Sequence, residues 1–242
     1  MTPPLFPGGT SVSHLQVYDW PAPDAPSGSG SPHLHTTSTE AYVVLGGRGQ
    51  VETLGPDGFA VHALTPGRVV WFSPGVIHRA VNHGGLEVLV LMSNAGLPEA
   101  GDAVITFPAD VVGDPTRYAS AAALPRLDDG ATDAEVAAAA RARRDLALDG
   151  YAALRTAVEQ DGPAALNGLY DAAARLVAPR TAGWRETWEG SVVQASGQTD
   201  AALEALADAS AVTLADGGVA ALDAAPGPRR YGMCGRLQTW PF

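Results

Sequence analysis

The sequence predicts a mainly β first half, a sandwich or barrel, followed by an α-helical second half. Three observations carry this reading. From His33 to about Val111, short apolar runs such as "EAYVVLGG", "GRVVWFSPG" and "LEVLVLMS" alternate with turn signals, which is the rhythm of many short strands and not of βαβ units. After "FPADVVGDPTRY" alanine dominates and apolar residues recur at helical spacing. Finally, histidines at 33 and 35 precede a glutamate at 40; in a strand, two residues that are two apart aim their side chains into one volume.

The elements follow in order. "SVSHLQVYD" (11–19) alternates loosely enough to be a strand, and "PAPDAPSGSGSP" (21–32) is a loop, flexible by composition. "LGPDGF" marks a hairpin between "GQVET" and "AVHAL". In the second half, "ATDAEVAAAARARRDLALDGYAALRTAVEQ" is helical, and Thr132 with Glu135 forms a capping box. Leu166, Leu169, Tyr170, Ala173, Leu176 and Val177 make one apolar face of a helix that starts at Pro163 and stops before Pro179. A third helix is expected around Asp200 to Ser210, capped by Thr199 or Asp200. The tail "YGMCGRLQTWPF" is apolar and aromatic, so it should dock and not fray. The expected domains are a barrel over 1–112, a linker over 113–130 and a helical region over 131–242.

Composition narrows the function. Net charge is −11 with no basic run, which makes nucleic acid and anionic membranes poor partners. All 15 basic residues are arginine. Without lysine there is no Schiff-base chemistry and no P-loop lysine. Cys234 is the one cysteine, which excludes an intrachain disulfide and a thiolate metal cluster; a nearby base to activate it is missing from the local sequence, so it reads as structural. The start "MTPPLFPGGTS" has neither a basic segment nor an apolar core, and no window reaches membrane-spanning length. The expectation is a soluble, cytoplasmic protein.

A second cluster answers the first: "GRVVWFSPGVIHRAVNH" sets His78 at a strand start, directly after Pro74 and Gly75. Three imidazoles and a carboxylate form a mixed donor set suited to one divalent transition metal, Fe, Mn, Ni, Zn or Cu. Four protein ligands on an octahedral ion leave two positions open, the mark of a catalytic and not a closed structural site.

These residues resemble the two motifs of the cupin superfamily, small jelly-roll β-barrels. His33, His35, Glu40 and Gly47 match the first motif, with four residues before the glutamate and six after it; Ser27 stands where that motif opens on glycine. Gly67, Gly75, His78 and Asn82 match the second, with Ser73 in place of its proline and Pro74 beside it. The resemblance implies a jelly-roll barrel over residues 10–112 and metal ligands His33, His35, Glu40 and His78. It does not extend to the helical half.

By strand parity Tyr42 and Val44 should point inward with Glu40, and Ala80 and Asn82 with His78, while Arg79 should face away to pair with a neighbouring strand or subunit. Tyr42 is the parity-compatible candidate for a proton-handling catalytic group; Asn82 should fix a turn. Trp71, Phe72 and Met92 are expected in the core or cavity lining, and His14, His62 and His83 outside the site. Trp184 and Trp188 lie one helical turn apart and read as a packing stripe. The resemblance implies a metal-dependent enzyme acting on a small molecule, with dioxygenase (oxidoreductase) chemistry favoured over an isomerase, epimerase or lyase. A non-catalytic small-molecule-binding or sensor protein is the reading from another class. A homodimer is the expected assembly.

Overall fold

The computed structural model describes residues 4–241; residues 1–3 and 242, at the outer ends of the two expected segments, lie outside them. Nine strands form one antiparallel sheet that folds on itself: β1 (Ser11–Val17), β2 (His33–His35), β3 (Glu40–Gly55), β4 (Gly58–Leu64), β5 (Val69–Phe72), β6 (Ile77–Met92), β7 (Ala103–Ile105), β8 (Arg230–Tyr231) and β9 (Gly235–Thr239). Helices α1 (Ala109–Val112), α2 (Pro115–Ala122), α3 (Asp133–Asp161), α4 (Asn167–Val177), α5 (Thr181–Trp188), α6 (Gln194–Ala207) and α7 (Val212–Ala215) lie between β7 and β8. The expected β-barrel followed by helices is therefore present.

The paired strands β3 and β6 each run 16 residues. Sequence reading cuts each of them at its glycine pair, but the chain continues and bends. The early part of β3 pairs with β5 and the late part with β4, while β6 pairs with β2 near His78 and with β1 from Glu87 to Met92. Each long strand thus serves both walls. The register slips between Val44 and Gly49 mark the bend. A Cβ on Gly47 would fall 2.0 Å from the Gly85 carbonyl oxygen, and its φ of +68° suits glycine. Asn82 stitches the same corner, accepting from the Gly84 and Leu86 N–H groups and donating to the Val17 carbonyl.

Alternation along these strands feeds two separate cores. Tyr42, Val44, Val51, Phe72, Ala80, Val88, Val90 and Met92 fill the barrel interior. Leu34, Leu54, Ile77 and Val104 face outward and, with Ile105 at the end of β7, pack with Ala147, Tyr151, Leu166, Leu169, Val177 and Trp184 of the helical half. A strand with apolar residues on both faces needs a cover on both, which is why the helices sit where they do. Gly150 lets α3 approach closely, since a Cβ there would lie 2.2 Å from the Thr106 carbonyl oxygen.

The capping box at Thr132 and Glu135 and the helix-forming stretch around Leu166 to Val177 stand as expected. The tail also docks, as β9 paired to β1. Several expectations are corrected. α6 begins at Gln194, continuing from α5 through the π-helical turn Glu189–Val193, so Thr199 and Asp200 are interior and cap nothing; the Thr199 hydroxyl donates to the Ala195 carbonyl instead. The 21–32 loop is pinned by two buried arginines and not loose: Arg79 grips Asp24 through two 2.7 Å contacts, and Arg144 donates to the Trp20, Pro21 and Ser29 carbonyls. Within 113–130, read as linker, α2 is capped by the Asp114 carboxylate, and the buried Tyr118 hydroxyl accepts from the Ile105 N–H. Trp71 is 70% exposed, because Phe72 is the residue opposite Glu40 and the intervening parity turns Trp71 outward.

Candidate metal centre

The centre is built by strand periodicity. On β2, His33 and His35 point into the barrel while Leu34 between them joins the helix-facing core. Antiparallel pairing sets His33 opposite His78, and their rings lie 4.3 Å apart. Glu40, the first residue of β3, brings its carboxylate between imidazoles: Oε2 is 2.8 Å from His78 Nε2 and 3.0 Å from His35 Nε2. All four side chains are buried, and one ligand atom from each lies within 4.8 Å of the others. The four candidates drawn from two distant motifs converge on one point.

The donor atoms fit a cation. His33 Nδ1 is 2.9 Å from the Ser31 carbonyl and His78 Nδ1 is 3.2 Å from the Val76 carbonyl. A carbonyl only accepts, so both Nδ1 atoms carry the proton and both Nε2 lone pairs face the cluster. His35 Nδ1 lies at ion-pair distance, 3.3 Å, from Asp102 Oδ2 without a formed hydrogen bond, and its Nε2 lies 3.0 Å from Glu40 Oε2. His78 Nε2 and Glu40 Oε2 lie 2.8 Å apart, and both are buried without a hydrogen-bond partner. Two buried acceptors this close call for a positive charge between them. Outer partners that fix the imidazole tautomers are the usual support of a metal site. The His3Glu cluster therefore suits a divalent metal.

Electrostatics agree. Burial pushes the Glu40 carboxyl up, but His78 and His35 beside it hold it well below the usual carboxylate range. Burial, helped by His78 and His35, pushes the His33 imidazole well below its ordinary value, so it is neutral and ready to ligate. Burial acts the same way on His35, yet Asp102 and Glu40 overcome it and raise that imidazole to about 9. Without a metal, a proton on His35 supplies the missing positive charge.

A cavity of about 920 Å³ opens from the cluster. Its walls include Val90, Met92, Met233 and Leu237, with Cys234 and Arg143 among the polar lining. Tyr42 has no exposed surface; its hydroxyl donates toward Cys234 Sγ at 3.7 Å, beneath the cluster and not into the open cavity. Arg79 faces away from the site, as parity requires, and pairs with Asp24 and Glu52. His14 pairs with Glu87 on the outer wall, His62 is half-buried against Thr53, and His83 is exposed.

Three nearby residues escape sequence reading. Asp102, fully buried, accepts from the Thr36, Thr37 and Ser38 N–H groups and locks the β2–β3 turn beside His35. Cys234 reaches the site through the docked tail, its Sγ 4.0 Å from His33 Nδ1, and burial pushes its thiol up to about 12. Arg143 comes from α3. The one available signal was the apolar tail, which points to docking but not to where.

Residues 24–93 match the family model described as a cupin domain. No curated protein matches the chain. Among solved structures, an oxalate oxidase in complex with the substrate analogue glycolate is 25% identical, with 36% of this chain and 51% of that chain aligned and a TM-score of 0.25. An uncharacterized conserved protein with a double-stranded beta-helix domain from Klebsiella pneumoniae is 18% identical over 34% of this chain and 62% of that one, with a TM-score of 0.24. Vicilin from Corylus avellana, hazelnut, is 23% identical over 28% and 21%, with a TM-score of 0.27. The chain thus spans about half the length of the oxalate oxidase it matches.

Proposed function

Residues 24–93 being a cupin domain, we propose that the chain is a metal-dependent enzyme acting on a small molecule, with oxygenase chemistry the leading reaction. The carrying observation is the buried His33, His35, Glu40 and His78 cluster, in which Glu40 Oε2 and His78 Nε2 lie together without a hydrogen-bond partner and His33, His35 and Glu40 line a cavity. A divalent transition ion held there would supply Lewis acidity and, if redox-active, chemistry with O₂.

The chain's own residues have definable tasks. Glu40, ionised across the ordinary pH range, supplies the one negative charge of the set. The Ser31 and Val76 carbonyls and Asp102 keep the imidazoles aimed. Val90, Met92 and Leu237 keep water sparse around a bound substrate. Tyr42, whose phenol burial pushes well above its ordinary value, acts as a proton holder that positions Cys234 and the Glu40 carboxylate, not as a base that reaches substrate.

Metal content of protein purified without chelator or polyhistidine tag, beside His78→Ala, tests the proposal. Near-stoichiometric iron in the parent, none in the variant, and O₂ uptake with a member of a substrate panel would support the oxygenase. Manganese, nickel or zinc without O₂ uptake would replace it with an isomerase or lyase. No metal after reconstitution would overturn the enzyme.

A further inference from the structure

We propose that Arg143 is the anion-docking residue of the cavity and that the substrate is a small monocarboxylate, its acid group on Arg143 and its reacting end at the His3Glu cluster. This rests on the metal-enzyme reading for the reacting end, but the anion site stands on separate observations.

Arg143 lines the same cavity as His33, His35 and Glu40. Its Nη2 donates to the Gly232 carbonyl at 2.7 Å and its Nη1 to the Ala122 carbonyl at 3.3 Å, while the buried Nε has no partner. Carbonyls orient a guanidinium without neutralising it. The two fully buried arginines each have a carboxylate, Arg79 with Asp24 and Glu52, and Arg144 with Asp145. Among the described residues Arg143 has none within ion-pair distance. Burial pulls its pKa below the ordinary arginine value, the cost of a poorly hydrated cation. A desolvated, unneutralised charge is expensive to keep, and a ligand that brings the counter-charge recovers that cost on binding.

The surrounding charges favour an anion. The carboxylates lining the cavity are Glu40, inside the cluster, and Glu99, at the exposed rim with its oxygens held by the Ser11 hydroxyl and the Gly96 N–H. A divalent ion outweighs the single charge of Glu40, so the loaded interior is positive even before Arg143 is counted. The planar fork of a guanidinium matches a carboxylate. The second arginine of the lining, Arg230, is exposed, and the apolar walls Val90, Met92, Met233 and Leu237 suit an acid group carried on an apolar body better than a phosphate, which is polar all round. Arg143 belongs to α3, outside residues 24–93. The barrel thus holds the metal and the helical half reads the substrate.

Isothermal titration of the metal-loaded chain tests this with a panel of short aliphatic and aromatic monocarboxylates, each beside its neutral primary amide, and with inorganic phosphate. At least one acid is expected to bind more tightly than its amide and than phosphate. Arg143→Gln should weaken that acid roughly ten-fold or more, with metal content unchanged and the neutral amide weakened far less than the acid, and Arg143→Lys should keep part of the acid preference. If the glutamine variant does not fold, the lysine variant decides: its acid-over-amide preference should persist at reduced affinity. Equal binding of acid and amide, undiminished acid binding in either variant, tighter phosphate, or no acid bound from the panel would overturn the proposal. Loss of Arg143 dependence with metal retained sinks the docking residue alone. Arg143-dependent acid binding in a chain that holds no metal sinks the enzyme reading alone.

Discussion

The barrel and the helical half bury their apolar surface by different rules. In the barrel, alternation splits each strand between an inner core and an outer one, so His33 and Leu34 are neighbours in sequence but sit on opposite sides of a wall. In the helical half, α3 and α4 bury one stripe each against that wall, while α6 buries no residue and leaves Leu203 and Leu206 exposed. The difference teaches where precision is needed. A wall that must aim three imidazoles is fixed from both faces, and its outer face is fixed by helices. The helical region is therefore part of the site's scaffold near the wall and only loosely tied to it at α6.

That contrast can be broken first at the seam. Trp184 is buried in the helix-facing core, and its Nε1 donates to the Ala100 carbonyl on the barrel side. Trp184→Ala should destabilise the protein by about 3–5 kcal/mol, whereas Leu203→Ala on α6 should stay within about 0.5 kcal/mol. Chemical denaturation checks both. Equal effects would show that the wall does not depend on its helical cover.

A pH titration of the metal-free protein sharpens the comparison next. His35 has a folded pKa raised to about 9, so its contribution is complete below its ordinary value near 6.5 and is lost as pH rises through 9. Metal-free protein should thus lose up to about 3 kcal/mol between those limits. Below about 6.5 the depressed His33 works in the opposite sense, so stability should fall again on acidification. Saturation with metal should flatten the alkaline arm, because the ion replaces the proton on His35. An unchanged alkaline arm would mean that His35 does not ligate.

The two halves also differed in legibility. His33 and His35 are legible because strand parity is local, and Glu40 and His78 join them through spacings that resemble the two cupin motifs. Arg79 and Asn82 followed from the same parity. Trp71 looks like core by composition, but parity decides its side: with Phe72 inside, its neighbour has to face solvent. The 21–32 loop read as flexible because its anchors, Arg79 and Arg144, lie far along the chain. Asp102, Cys234 and Arg143 were unreadable for that reason too, since each meets the site through tertiary packing that no local pattern announces. On α6, periodicity located a helix but could not set its start, because a π turn carries the chain through from α5 without a cap.

The smallest effect distinguishes support from ligation. Asp102 touches no open face of the cluster; it stands behind His35 and ties down the turn that leads from β2 to β3. Asp102→Asn keeps the side chain's size and one accepting oxygen but removes the charge that holds the His35 imidazole. Metal should then bind roughly 10–100-fold more weakly, with the four ligands still in place and the fold retained by circular dichroism. The same substitution should lower the His35 pKa toward its ordinary value, with Glu40 still raising it, and so remove part of the alkaline loss of stability in metal-free protein. Weaker metal binding with that loss intact would place the defect in the turn and not in the imidazole. Unchanged metal affinity would mean that the wall alone aims His35, and that the outer core beneath Leu34 supplies the aim credited to Asp102.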